Sequence, residues 1–172
     1  MNNIIPNTPL TLTAITDKFF YAGQTVQFTA TATDVESAVQ TLTFSLPASP
    51  GSATIHPSAG VFTWVIPSSE LPGTNLVTAR VRDNGTPILS DGKNFTIVIR
   101  PMPQVTSAIN GNQLQLSWPV LETGWRLEAQ TNALTVGINS TWFTVPGSTS
   151  TNQMFIPINP ANGSVFLRLV YP

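Results

Sequence analysis

Apolar and polar residues alternate with a period of two along most of this chain, whereas the 3.6-residue period of a helix is nearly absent. In residues 25–33 one face carries apolar side chains and the other carries threonine and glutamine. The apolar positions are Val26, Phe28, Ala30 and Ala32. The same alternation recurs at residues 42–46, 77–81 and 95–99. A half-buried antiparallel strand produces this pattern, so we expect a strand in each segment.

Turn-forming residues separate these segments. The chain has fifteen prolines and eleven glycines, and many of them stand between the alternating runs, as in Pro50-Gly51, Pro72-Gly73 and Asn84-Gly85. The second half continues the series, with predicted strands at residues 113–118, 125–130, 141–145, 154–158 and 165–171. Many short strands with regular turn signals predict a sandwich or a barrel.

A proline-rich segment, Arg100-Pro-Met-Pro-Gln104, divides the two series of strands. Two prolines separated by one residue favour a stiff, extended connector. The predicted fold class is therefore all-β, with two antiparallel β-sandwiches in tandem. We place the domains at residues 1–102 and 103–172, the second being the smaller.

The composition narrows the range of partners. Only 9% of the 172 residues are charged and the net charge is −1, against a typical charged fraction of about 25%. Because no basic run is present, we expect no nucleic-acid partner. The chain has no cysteine, which excludes disulfides, thiolate zinc sites and cysteine nucleophiles. It has no apolar window near the ~18 residues of a membrane span. Its first residues do not resemble a signal peptide, so if the protein is exported we expect this chain to be a piece of a longer one.

The first half resembles bacterial Ig-like and dystroglycan-type cadherin-like modules over about residues 8–100. The resemblance is carried in order by Pro9-Leu, Ala22-Gly-Gln24, Ala32-Thr-Asp34, Leu42-Thr-Phe44, Gly60-Val-Phe-Thr-Trp64, Val81-Arg-Asp-Asn-Gly85 and Phe95-Thr-Ile97. Such modules are Ig-like sandwiches of large secreted or cell-surface proteins and usually act as spacers or adhesion units. The resemblance implies an extracellular location. The implied partners are neighbouring domains, a protein or glycan surface ligand, or another copy of the chain.

The second half resembles a fibronectin type III-like module found at the C-terminus of large secreted bacterial proteins. Leu114-Gln-Leu-Ser-Trp118 is similar to its second strand, and Trp125-Arg-Leu-Glu128 is similar to the strand that follows. The resemblance implies no catalytic activity.

Five polar residues form a candidate calcium site. In an Ig-like topology the loop after the second strand and the loop before the last strand lie at one pole, where the chain also enters. The five residues assigned to these loops are Asp34, Glu36, Asp83, Asn84 and Asp91. Cadherin-like relatives hold Ca²⁺ at such positions, and this chain has Glu36 where the family pattern often has Asp. Ca²⁺ takes six or more oxygens at ~2.3–2.6 Å. The alternative is that these residues only shape turns by bonding their own backbone.

The four tryptophans divide into two groups. Trp64, Trp118 and Trp125 are predicted to be core residues, since apolar neighbours share their faces. Trp142 completes no apolar stripe and, with Tyr171, is the candidate for contact with a glycan. We therefore expect a non-catalytic structural or adhesion module. The alternative is a carbohydrate-binding accessory module of a secreted polysaccharide-degrading enzyme.

Two further features bear on function. His56 is the only histidine, and no nucleophile elbow or phosphate loop accompanies it, so catalysis is not expected. At the N-terminus, Ile4, Ile5, Leu10 and Leu12 could belong to the first strand of this domain. They could instead add to a neighbour's sheet edge.

Overall fold

The computed structural model describes residues 6–36 and 40–171. The chain divides into two compact units, Met1–Pro101 and Met102–Pro172, and each is described by itself. Both are built from strands, which confirms the predicted all-β fold class. In the described part of the chain, no helix is long and apolar enough to cross a membrane.

The first unit contains nine strands: β1 (Thr11–Leu12), β2 (Lys18–Phe20), β3 (Thr25–Thr29), β4 (Ala32–Thr33), β5 (Thr43–Ala48), β6 (Thr54–Ile55), β7 (Val61–Val65), β8 (Gly73–Arg82) and β9 (Ser90–Ile99). One sheet has the order β2-β9-β8-β5, a second has the order β3-β7-β6, and β1 pairs with β4. The pairing is antiparallel throughout the described strands of this unit, with the exception of β2, which runs parallel to β9.

The core of this unit fills with the apolar faces that the alternation predicts. Val77, Ala79 and Val81 of β8 are buried, as are Phe95, Ile97 and Ile99 of β9. Three phenylalanines form a cluster, with Phe28 stacked on Phe62 at 4.9 Å between ring centroids. Phe95 meets both rings edge-on. These contacts pack the β3-β7-β6 sheet against the β2-β9-β8-β5 sheet, and the burial of apolar surface between them stabilises the unit.

Trp64 is a core residue, as predicted. It lies in β7, the middle strand of its sheet, and only 1% of its surface is exposed. Its indole N–H donates a hydrogen bond to Ser52 Oγ at 3.0 Å, which satisfies the one polar atom of a buried ring.

The prediction of a single strand over residues 25–33 is wrong in one respect, because the segment forms two strands that belong to different sheets. β3 pairs with β7, whereas β4 pairs with β1. Between them the Ala30 N–H donates to the Gly60 carbonyl at 2.8 Å. The faces nevertheless keep their alternation through this change of sheet, since Val26 and Ala30 stay buried and the threonines stay exposed or nearly so.

The N-terminal segment joins this unit from Pro6 onward. Leu10 and Leu12 are buried in the core. Leu12 lies in β1 and Leu10 directly precedes this strand, so both pack within this unit. Ile4 and Ile5, the other half of the proposed strand-addition segment, lie outside the described residues.

The second unit contains six strands: β10 (Thr106–Asn110), β11 (Gln113–Ser117), β12 (Arg126–Asn132), β13 (Phe143–Thr144), β14 (Gln153–Pro157) and β15 (Ser164–Val170). They form two antiparallel sheets, β10-β11-β14 and β13-β12-β15. Short 3-10 turns lie at Val120–Glu122 and Ser148–Ser150. The core is small: Leu116, Trp118 and Leu127 form its buried apolar cluster. Trp118 and Trp125 are both buried, as predicted.

Candidate metal site at the pole of the first unit

The end of the first unit where β4 and β8 finish is called the pole. It consists of the segment Pro6–Pro9, the residues that follow β4, and the loop between β8 and β9. Of the five predicted ligands, Asp34 and Glu36 follow β4, while Asp83 and Asn84 follow β8. Asp91, expected in a loop, instead lies within β9, so its placement was wrong.

Glu36 is paired with the N-terminal segment. It is 7% exposed, and the Thr8 hydroxyl lies 2.9 Å and 3.1 Å from its two carboxylate oxygens. This hydrogen bond is the main reason that the pKa of Glu36 lies below its ordinary value of 4.5. Burial alone would raise that pKa. The Thr8 hydroxyl therefore stabilises the ionised form of Glu36.

Asp34 lies beside two other carboxylates. Burial, and then the proximity of Glu36 and Asp83, raises its pKa above 3.8. Its Oδ1 accepts the Glu36 backbone N–H at 3.4 Å, which is a local turn of the kind that Asp forms. Its Oδ2 is buried and makes no hydrogen bond to any described residue. Glu36 and Asp83 are thus both close enough to Asp34 to affect its pKa.

Asp83 is 3% exposed and both of its oxygens accept hydrogen bonds. Oδ1 accepts from the backbone N–H groups of Gly85 and Leu89, each at 3.0 Å. Oδ2 accepts from Asn7 Nδ2, also at 3.0 Å. Burial alone would raise the pKa of Asp83. The three hydrogen bonds outweigh it and hold the pKa below 3.8.

The remaining two predicted ligands are engaged elsewhere. Asn84 Oδ1 accepts the Thr41 N–H at 2.8 Å. Asp91 pairs with Lys93 at 2.9 Å and accepts the Leu12 N–H at 2.8 Å. The Lys93 bond, and then the Leu12 bond, holds the pKa of Asp91 below 3.8. Asp91 therefore fastens β1 to β9.

These five side chains do not form one coordination shell for calcium. The described residues include no group of three or more acidic or histidine side chains able to hold a metal ion. Both carboxylate oxygens of Asp83, of Glu36 and of Asp91 already accept hydrogen bonds from protein donors. Asp34 Oδ2 accepts none from the described residues. Ca²⁺ needs six or more oxygens, so the donor set does not fit this ion.

Sequence reasoning missed Asn7, Thr8 and Gln40 as members of the pole. The expectation that the chain enters at this pole was the available signal, because it brings Pro6–Pro9 next to both loops. Asn and Thr are so common in this chain that neither residue type is distinctive there.

The predicted glycan contacts lie in the second unit. Trp142 is half-buried, and the guanidinium of Arg168 lies 4.1 Å from the centroid of its ring. Tyr171 is 49% exposed and meets Trp125 edge-on at 5.4 Å. Phe143, at 67%, is more exposed than Trp142. Contact of Trp142 and Tyr171 with a glycan stays a prediction.

Arg168 is itself held in place by a buried carboxylate. Glu128 is 7% exposed and accepts from Arg168 Nη2 at 2.7 Å and from Arg126 Nε at 2.9 Å. The bond to Arg168 is the first reason that the pKa of Glu128 lies below 4.5. The face of Trp142 that Arg168 covers is therefore unavailable to a sugar ring.

Comparison with known proteins gives similarities of fold only. No protein-family model and no curated protein matches the sequence. A nucleoside hydrolase-related protein of Saccharophagus degradans that is associated with carbohydrate metabolism is 21% identical, with a TM-score of 0.46, over 55% of this chain and 26% of that one. A marsupial T cell receptor is 12% identical, with a TM-score of 0.45, over 94% and 66%. The human desmocollin-1 ectodomain is 14% identical, with a TM-score of 0.41, over 98% and 37%.

The chain spans less than two thirds of the length of two of these structures and about two thirds of the third. Similarity at this level says nothing about what the chain binds.

Proposed function

We propose that the chain is a non-catalytic structural module of a larger extracellular protein, acting as a spacer or adhesion unit. The observation that supports this proposal is that the chain enters and leaves the first unit at opposite ends. Near its start, Asn7 bonds to Asp83 and Pro87 at the pole. At its end, Ile99 pairs with Gly73, the far end of β8.

The separation of the two ends follows from the strand length. β9 has ten residues and runs from the pole to the opposite end. At ~3.3 Å per residue the strand spans about 30 Å. Chain termini of domains often lie close together, which suits an inserted domain. Termini at opposite ends suit a module that separates its neighbours in a linear array.

The pairing of β2 with β9 suits a module that carries tension. The two strands run parallel, with Lys18 opposite Ile97 and Phe20 opposite Ile99. The Arg100 N–H continues the ladder to the Phe20 carbonyl at 2.8 Å. In a parallel pair the inter-strand hydrogen bonds are evenly spaced and cross between the strands at a slant. A pull that draws the start of β2 away from the end of β9 therefore loads these bonds together, instead of opening them one by one.

The composition is compatible with an extracellular location. The chain has seven Lys and Arg residues in all, so few bonds are open to proteases that cut after basic residues. The proposed partners are the neighbouring domains of the parent protein and a surface ligand of that protein.

Single-molecule force measurement on the full chain, pulled by its two ends, tests this proposal. Phe20→Pro removes the last N–H of β2 and weakens its pairing. Phe20→Ala is the matched control, because it loses the same ring but keeps the N–H. We expect the unfolding force of the first unit to fall for Phe20→Pro well below that of Phe20→Ala. Equal forces for the two variants would remove the support for a tension-bearing spacer.

A further inference from the structure

The side chain of Asn7 bridges the loops of the pole. Its Nδ2 donates to Asp83 Oδ2 at 3.0 Å and to the Pro87 carbonyl at 2.6 Å. Its Oδ1 accepts from Gln40 Nε2 at 3.0 Å. A carboxylate oxygen and a carbonyl oxygen thus converge on one NH₂ group. These are the kinds of oxygen that bind a hard cation.

Gly85 makes room for this amide. A Cβ at position 85 would lie 2.4 Å from Asn7 Nδ2 and 2.5 Å from Asn7 Cγ. The backbone φ of Gly85 lies outside the left-handed region, so glycine is not required there for conformational reasons. A larger residue there would require the amide of Asn7 to move away.

Thr8 acts in the same way on Glu36, a second carboxylate of the pole. Its hydroxyl lies within hydrogen-bond distance of both oxygens of Glu36. Two consecutive residues of the N-terminal segment thus supply donors to two of the three carboxylates of the pole, Asp83 and Glu36. Each donor presents a positive hydrogen to its carboxylate.

We propose that the pole is metal-independent, with the amide of Asn7 and the hydroxyl of Thr8 occupying the places that a cation would need and tying the N-terminal segment to the unit. An NH₂ group between Asp83 and Pro87 repels a cation, because its hydrogens carry positive partial charge. Calcium could bind there only after Asn7 was withdrawn and its hydrogen bonds were lost.

The first test is thermal unfolding of the full chain by calorimetry, in millimolar calcium and in EDTA. A ligand present at a hundred times its Kd would raise the melting temperature of a unit this size by about 10 °C or more. We expect no change in the melting temperature of the first unit. A rise with calcium would overturn the proposal.

The second test removes the amide in two independent ways. Asn7→Ala takes away the donor, and Gly85→Ala displaces it with a Cβ. Hydrogen bonds to charged groups lost from a unit this size lower its melting temperature by about 5–15 °C, and we expect both variants to show this loss. Gly51→Ala is the matched control, since nothing lies within 4 Å of its added Cβ. Wild-type melting temperatures for both Asn7→Ala and Gly85→Ala would refute the role given to Asn7.

NMR of the wild type keeps the proposal testable if a variant fails to fold. The side-chain NH₂ resonances of Asn7 report directly on the bonds to Asp83 and Pro87. We expect their shifts to stay unchanged when calcium is added. Calcium-dependent movement of these resonances would contradict the proposal, because it would show the ion replacing the amide.

Discussion

Gly60→Ala adds a single methyl group, yet we expect it to lower the free energy of unfolding of the first unit markedly. Gly60 has a φ of +67°, and a Cβ there would lie 2.3 Å from the Ala30 carbonyl oxygen and 3.3 Å from Phe44 Cε2. The Gly60 carbonyl also accepts the Ala30 N–H at 2.8 Å. Two backbones therefore touch at the point where the chain passes from β3 to β4.

Two separate costs add for this variant. A non-glycine residue in the left-handed region costs about 1–2 kcal/mol. Forcing the Ala30 backbone away from the new Cβ breaks its hydrogen bond to Gly60 at a site that is nearly closed to water, which costs about 1–3 kcal/mol more. We therefore expect a loss of roughly 3 kcal/mol in the free energy of unfolding.

Gly23→Ala separates these two costs. Gly23 also has a positive φ, +84°, but the nearest atom to its added Cβ is Ser68 Cβ at 3.9 Å, an ordinary contact. This control should lose only the conformational part, about 1–2 kcal/mol. Urea unfolding of both variants in the full chain, with amide signals of the first unit as the probe, measures the difference. If Gly60→Ala and Gly23→Ala lose the same free energy, the reasoning about the Ala30 contact is refuted.

Four further outcomes are expected. Trp64→Ala should lower the free energy of unfolding of the first unit by about 3–5 kcal/mol in urea, because it empties a buried site; a loss under about 1 kcal/mol would contradict its core role. Hydrogen bonds hold the pKa of Asp83 below its ordinary 3.8 despite burial, so this carboxyl stabilises the fold above that pH and the contribution is lost as the pH falls through the folded value. The acid unfolding curve of Asp83→Asn should accordingly be flatter than that of the wild type, and identical curves would argue against it. Arg168→Met should make Trp142 more accessible to a fluorescence quencher; unchanged quenching would mean that the guanidinium does not cover the ring. On a glycan array, any binding by the chain should disappear in Trp142→Ala if this ring stacks on sugar, and binding that survives would exclude Trp142 as the contact.

The sequence predicts the long, alternating strands well and the short ones poorly. Val77–Val81 alternates over enough residues to define both a strand and its buried face, and β8 carries that face as expected. β1 and β6 have two residues each, too few to express a period. The change of sheet at Ala30 leaves no mark in the alternation, because the faces continue through it. Only the contact with Gly60, which is distant in the sequence, reveals the break.

The pole was located correctly for some residues and not for others. Asp34, Glu36 and Asp83 come near one another, as the Ig-like topology predicts. What these carboxylates bind could not be predicted, since a carboxylate can equally accept from a protein donor or bind a cation. The choice depends on where Asn7 and Thr8 lie, and short polar side chains carry no periodic signal that would position them.

The contact between Asn7 and Gly85 should also make these two positions, which are distant in the sequence, covary among related chains. The amide fits only where no Cβ stands opposite it, and the bare glycine leaves a gap unless a side chain of that size fills it. In related chains the two positions should therefore change together. A lineage that replaces the glycine should also have lost the asparagine, and with it the way this pole holds the start of the chain.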